Sequence, residues 1–253
     1  MNYEEIIKVL IFGFPVMKEM IDPAYPLFLQ STGGLVLTLI ITLLSLFLGG
    51  VIAIPLAVIR SRPETIPDIF SLHLFRSVSA LVKHVSILCT EIFRGLPIMI
   101  IVLLVFYFPY VLFKLRLPGV ILAVFAFSVY AGVYLSDILL SGFKAVDQNR
   151  MDAAKVIGLS PFQTLLHIKI PIAVRTMIPA ILGTAVTVLK DSSVLMVVAV
   201  PELTFTSRQV QMSDPRFYAV ILSTVILLYW TIAAVGSYLI HCLEVRWGRK
   251  TAI

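Results

Sequence analysis

Residues 33–59 read GGLVLTLIITLLSLFLGGVIAIPLAVI and carry no charge from end to end. An α-helix rises about 1.5 Å per residue and a hydrocarbon layer is about 30 Å thick, so this stretch is long enough to cross one. Arg60 and Arg62 stop it. Inside lipid every backbone N–H and C=O must be satisfied within the segment, so an apolar run of this length reads as a spanning helix. The composition of the whole chain agrees. Of 253 residues 59% are hydrophobic and 13% charged, with a mean hydropathy of +1.01. A soluble domain is usually about 45–50% apolar and about 25% charged. An ordinary soluble enzyme, a disordered chain and a secreted disulfide scaffold are excluded, and the fold class is all-α integral membrane.

Working outward from this first span, four more follow. Residues 63–86 are mixed and read as a connector with an amphipathic stretch. Span two covers 95–113 and ends at Lys114 and Arg116. Leu117, Pro118 and Gly119 signal a turn. Span three covers 120–140, with Asp137 near its end. Span four covers 177–200 and contains Lys190 and Asp191. Pro201 to Arg216 reads as a polar loop. Span five covers 218–240. On the other side of span one, residues 6–20 are apolar but too short to cross. They read either as an interfacial helix or as a loosely packed segment outside the membrane. Glu4, Glu5 and Lys8 give the wrong pattern for a signal peptide. The expected organisation is an extracytoplasmic or interfacial segment over 1–32, a five-span domain over 33–245 and a tail over 246–253.

Five spans place the termini on opposite sides. Thirteen Lys and Arg fall in 60–94, 144–175 and 246–250, against six on the other face. Basic residues are retained on the cytoplasmic side, so the N-terminus is expected outside and the C-terminus in the cytoplasm. The same bias accounts for the net charge of +6 without a nucleic-acid partner. Cys89 and Cys242 lie far apart without CxxC spacing, and the four histidines form no HExxH. No metal site is expected.

Residues 147–171, DQNRMDAAKVIGLSPFQTLLHIKIP, form the longest polar stretch. Two short helices fit it. The first, over 148–157, ends at Gly158, a natural left-handed residue after a helix. The second opens with Ser160 as N-cap, Pro161 at its first position and Gln163 at its third, a capping box. Helix, glycine turn and capped helix make a rigid elbow on the basic face. Such an elbow suits docking into a groove of a partner, whereas a plain connector would not need two capped helices.

The spacing Asp152-Ala153-Ala154, three residues, Gly158, nine residues, Ile168-Lys169-Ile170-Pro171 resembles the EAA motif of permease subunits of bacterial ABC importers. Asp152 stands where Glu is usual and Ile170 where Leu is usual. Glu91-Ile-Phe-Arg94-Gly95-Leu-Pro97 is similar to the segment that opens span two in the polar amino-acid subgroup. Tyr134-Leu-Ser-Asp137 in span three, Leu189-Lys190-Asp191-Ser192-Ser193 in span four and the Thr38-Leu39 pair in span one extend the likeness. The resemblance implies a five-span type I importer core in a bacterial inner membrane. It also implies a second permease subunit, the same or homologous, an ATP-binding subunit under each and an extracytoplasmic substrate-binding protein. By that match the elbow is the coupling helix, with Asp152, Ala153, Ala154, Gly158 and Pro171 as its motif residues. Glu91, Arg94, Gly95 and Pro97 are the motif residues at the start of span two. Ile101, Gly183 and Leu96 replace polar residues common in the family. The replacements imply either a less polar substrate or the non-binding half of a heterodimer.

A charge in mid-bilayer costs at least ~2.5–3.5 kcal/mol on insertion scales, so Lys190 and Asp191 must face protein or water. They read either as a gate or site for the carboxylate and ammonium of an amino acid, or as structural ion pairs with another span or the twin subunit. Thr184, Thr187 and Asp191 form one stripe on span four, either lining a cavity or bonding helix to helix. Ser192 is a further candidate on span four, and Ser128 and Tyr134 on span three read the same way. Arg94 reads as an anchor or as a partner of Glu91, and Asp137 as a helix-end contact.

No GxxxxGK[ST] occurs, so ATP and its Mg²⁺ are expected on the partner ATPase and no cofactor on this chain. The leading reading is an importer subunit moving a polar amino acid, or a close analogue, by alternating access. An intramembrane hydrolase would need a nucleophile with a base at compatible depth; Asp191 with Ser192 or Ser193 lacks a membrane-embedded His, and GxSxG is absent. A standalone channel or secondary transporter would leave the elbow unexplained.

Overall fold

The structure is a computed structural model and describes residues 3–13, 33–61, 73–213 and 215–248. The described residues are helical almost throughout. In chain order the helices are α1 (Tyr3–Phe12), α2 (Gly34–Ser61), α3 (His73–Gly95), α4 (Ile98–Phe113), α5 (Gly119–Lys144), α6 (Gln148–Val156), α7 (Pro161–Thr164), α8 (Ile170–Asp191), α9 (Leu203–Ser213) and α10 (Tyr218–Gly248). A π-turn over Leu165–Lys169 joins α7 to α8, and a 3₁₀ segment over Ser192–Val198 extends α8. Among the described residues four helices are long and apolar enough to cross a membrane, which makes up to five spans if the bent pair α3–α4 is one.

Helix α5 is the central one. Its Ala123, Ala126, Phe127 and Ala131 are fully buried, and they pack with Leu37, Ile41 and Ala53 of α2, Val102 of α4, and Val188 and Leu195. Small residues let α2 and α5 approach closely. A Cβ added at Gly132 would lie 3.1 Å from the carbonyl oxygen of Gly49, and one at Gly49 3.0 Å from the Ala131 Cβ. In lipid, helices associate through contacts of this kind.

A second core joins α1, α9 and α10. Ile6 and Leu10 are buried against Leu203, Val210, Ile221 and Val225. Over Tyr3–Phe12, the reading as a loosely packed segment is therefore corrected. Residues 14–32, which hold the rest of that apolar stretch, lie outside the described residues.

The polar loop expected over 201–216 is largely the helix α9. Leu203, Thr206 with Ser207, and Val210 are all buried, which is helical spacing with a polar outer face. Glu202 caps its start: its carboxylate accepts from the N–H of Thr204 at 2.9 Å and of Phe205 at 2.8 Å.

Span two also differs from expectation. The chain breaks at Leu96–Pro97, and α3 and α4 meet at a bend of 107°. Proline lacks the N–H that would continue the helix and clashes with the preceding turn. Gly95 thus closes α3, and the apolar helix runs from Ile98. The amphipathic stretch of the connector is described from His73, as α3; residues 62–72 lie outside the described residues. At the far end α10 continues through 246–248, the start of the expected tail, and 249–253 lie outside.

Candidate functional site: the elbow and the polar residues within the spans

The elbow follows from local chemistry. Asp147 caps α6 by accepting from the N–H of Asn149 at 3.0 Å. The helix ends where Gly158 takes φ +80°, with its N–H donating to the Lys155 carbonyl at 3.0 Å. The expected capping box is present and reciprocal. The Gln163 N–H donates to Ser160 Oγ at 3.2 Å, and the Ser160 N–H to Gln163 Oε1 at 2.9 Å. Pro171 follows the π-turn, whose wider loop accommodates the missing N–H without ending the helix. The second arm of the elbow therefore runs directly into span four.

Loss of the cap should loosen only this arm. Ser160→Ala is expected to cost about 1 kcal/mol of local helix stability. Hydrogen exchange should quicken at the amides of the 163–166 turn and stay unchanged in α5.

The motif residues do not all face the same way. Asp152, Ala153, Gly158 and Pro171 are exposed, whereas Ala154 is buried within the chain. Ala153 is left as the accessible alanine. Lys155 lies 2.7 Å from Asp152 and holds that carboxyl below its ordinary range. At the tip Val156 and Ile157 are 87% and 73% exposed. These two neighbouring apolar side chains are available to a partner at this turn.

Within the spans, Asp191 and Lys190 are separated in role. Asp191 is half-buried and accepts from the Tyr130 hydroxyl at 2.9 Å. Tyr130 packs edge-on against Tyr134 of the same helix, with ring centres 4.9 Å apart. Lys190 is exposed and, among the described residues, its side chain makes no hydrogen bond or ion pair. It lies twenty residues into α8, about 30 Å along the helix axis. Thr187 is exposed one turn before it and Thr184 is half-buried; their hydroxyls donate to the carbonyls of Gly183 and Ala180, each at 3.1 Å. Ser128 and Ser192 are buried and bond to Val124 and Leu189 of their own helices. These two are buried, while Thr187 and Lys190 are exposed and Thr184, Asp191 and Tyr134 are half-buried. Tyr130 was missed from sequence, although a tyrosine one turn before Tyr134 on a buried helix was the available signal.

At the other end of α5, Asp137 joins three helices. Arg60 of α2 lies 2.7 Å from it and Arg94 of α3 lies 3.0 Å away. Arg94 also reaches Glu91 at 2.9 Å, the partner expected from the sequence. Gly95 and Pro97 are exposed beside this cluster.

Residues 70–249 match the family described as "Binding-protein-dependent transport system inner membrane component". The probable glutamine ABC transporter permease protein GlnP of Bacillus subtilis is 31% identical over 68% of this chain and 79% of its own length. The L-cystine transport system permease protein TcyB of the same organism is 28% identical over 87% of this chain and 88% of its own. Among solved structures, an amino acid ABC transporter with histidines superposes with a TM-score of 0.71 at 23% identity, covering 84% of this chain and 92% of that one. That superposition shows the fold. The chain thus belongs to the binding-protein-dependent inner-membrane transport family, as a permease subunit of the polar amino-acid ABC importer type. It is a transport subunit and a multi-pass membrane protein. The family implies partners of two kinds, an ATP-binding subunit and a substrate-binding protein.

Proposed function

We propose that the chain carries a polar amino acid, or a close analogue, into the cytoplasm by alternating access, with ATP and Mg²⁺ bound and used by a separate subunit docked on residues 147–171. The observation that carries this reading is the elbow. It is capped at both arms, turns at a left-handed glycine and offers Ala153, Val156, Ile157 and Gly158 to a partner. Five spans over 33–245, an external N-terminus and a cytoplasmic C-terminus complete the arrangement. The bent pair α3–α4 then counts as one span. Two permease subunits, identical or homologous, pair in the lipid, and an extracytoplasmic binding protein delivers the substrate. Closure of the ATPase dimer draws the elbows together and opens the cavity outward; hydrolysis reverses the movement. Each step needs the two membrane conformations to bind the closed and open ATPase with different affinity.

Substrate would meet the accessible polar face of α8. An exposed cation deep in a span requires an anionic or aqueous surround. Lys190 suits an amino-acid carboxylate, and Asp191, oriented by Tyr130, suits its ammonium. Names of the relatives, glutamine and L-cystine permeases, point to the same zwitterionic class. Uptake of labelled glutamine, cystine, glutamate, arginine and histidine into vesicles of the complex tests this. ATP-dependent accumulation of at least one is expected, with a loss of tenfold or more in Lys190→Gln. No accumulation of any amino acid, with a different solute taken up, would overturn the substrate class.

A further inference from the structure

The Asp137 cluster sits where the elbow meets the broken span. Asp137 lies seven residues before the end of α5, which leads through 145–147 into α6. Arg94 immediately precedes Gly95, the last residue of α3, and α4 departs beyond Pro97 at 107°. A side chain added at Gly95 would meet nothing within 4 Å, so there is open space at Gly95 itself, while α4 packs on the core from Ile98 onward. Asp137 therefore ties the helix that feeds the elbow to the residue that abuts the joint.

The two arginines on Asp137 differ in exposure. The Arg60 side chain is 12% exposed and also donates to Ser136 Oγ at 2.9 Å. The Arg94 side chain is 45% exposed. A shielded pair is hard to break because it leaves an uncompensated charge, whereas an exposed pair is weak and open to water. Arg60 thus fixes Asp137 to α2, and the Arg94 bond is the one that releases. Glu91, one turn back on α3, lies 2.9 Å from Arg94 in the same structure, so the guanidinium keeps a partner if the bond to Asp137 opens. A transmitted movement requires an element with two such arrangements.

We propose that the Arg94–Asp137 pair is the link that carries movement of the elbow to the Gly95–Pro97 joint and so swings α4. This rests on the elbow being the ATPase docking site. Arg94 acts as a positioning residue and touches no substrate. The test uses the complete complex in vesicles and reads amino acid transported per ATP hydrolysed. Arg94→Gln leaves the Arg60–Asp137 pair intact. It is expected to lower that ratio at least tenfold while hydrolysis stays within twofold of wild type. Arg94→Lys, which keeps a cation, should recover part of the ratio. An unchanged ratio in Arg94→Gln would overturn the link. So would a parallel fall of transport and hydrolysis, which would mark a merely structural role. Wild-type vesicles without ATP-driven transport would instead overturn the docking reading, and the link with it.

Discussion

Gly158→Pro is expected to abolish substrate-stimulated ATP hydrolysis by the assembled complex, a fall of more than tenfold, while the chain still inserts. Proline is confined to φ near −65°, and Gly158 sits at +80°. The substitution also deletes the N–H that donates to the Lys155 carbonyl, so α6 loses its stop and the two arms lose their angle. Space is not the obstacle, because a Cβ at Gly158 would meet nothing within 4 Å. Gly158→Ala therefore isolates the backbone effect. It should cost about 1–2 kcal/mol of local strain and leave a partial response. Insertion is read from protease protection of the loops, and coupling from hydrolysis with and without substrate. A Gly158→Pro complex as responsive as wild type would show that the angle at this turn does not matter.

Glu202→Ala should be the most destabilising single change in the α1–α9–α10 core. The Glu202 side chain is fully buried and accepts from the N–H groups of Thr204 and Phe205 and from the Tyr229 hydroxyl, the last at 3.2 Å. The backbone on either side of it is tied to the start of span one as well: the Gly34 N–H donates to the Pro201 carbonyl at 2.9 Å, and the Leu203 N–H to Thr38 Oγ1 at 3.1 Å. Alanine would leave buried donors without acceptors and remove the cap of α9, costing about 3 kcal/mol. Thermal unfolding in detergent reads the loss, and Glu202→Gln, which keeps one acceptor oxygen, should lose less. Burial holds the Glu202 carboxyl above its ordinary range, although its hydrogen bonds pull the other way. A raised folded value means that the folded state binds the proton more tightly than the unfolded state. Stability from this group is full below the ordinary carboxylate value and declines as pH rises through the raised one. Wild type should therefore resist unfolding better at mildly acid pH than at neutral pH, and Glu202→Gln should flatten that difference.

What was legible in the sequence was local. The elbow was readable because its determinants lie within a few residues of one another: Gly158 after α6, and Ser160 with Gln163 around the start of α7. Spans one, three and five were readable because long apolar runs have few other fates. The break at Pro97 was hidden inside a continuous apolar run, since hydropathy counts residues and does not register a missing N–H. Helix α9 was hidden for the opposite reason: its outer face is polar and its inner face rests on α1 and α10. Contacts between distant segments left no local trace. Tyr130 and Asp191 are 61 residues apart, and Arg94 and Asp137 are 43 apart. Each of these residues is individually ordinary, and only the packing of α5 against its neighbours brings them together.

The most direct test of an ATP-driven importer subunit is hydrolysis itself. The chain would be purified with whatever ATP-binding subunit accompanies it, placed in lipid vesicles, and assayed with an extracytoplasmic binding protein loaded with a polar amino acid. The expected result is hydrolysis that rises several-fold with the loaded protein and loses that response in Gly158→Pro. An associated ATPase indifferent to both the loaded protein and the elbow, or no associated ATPase at all, would contradict it.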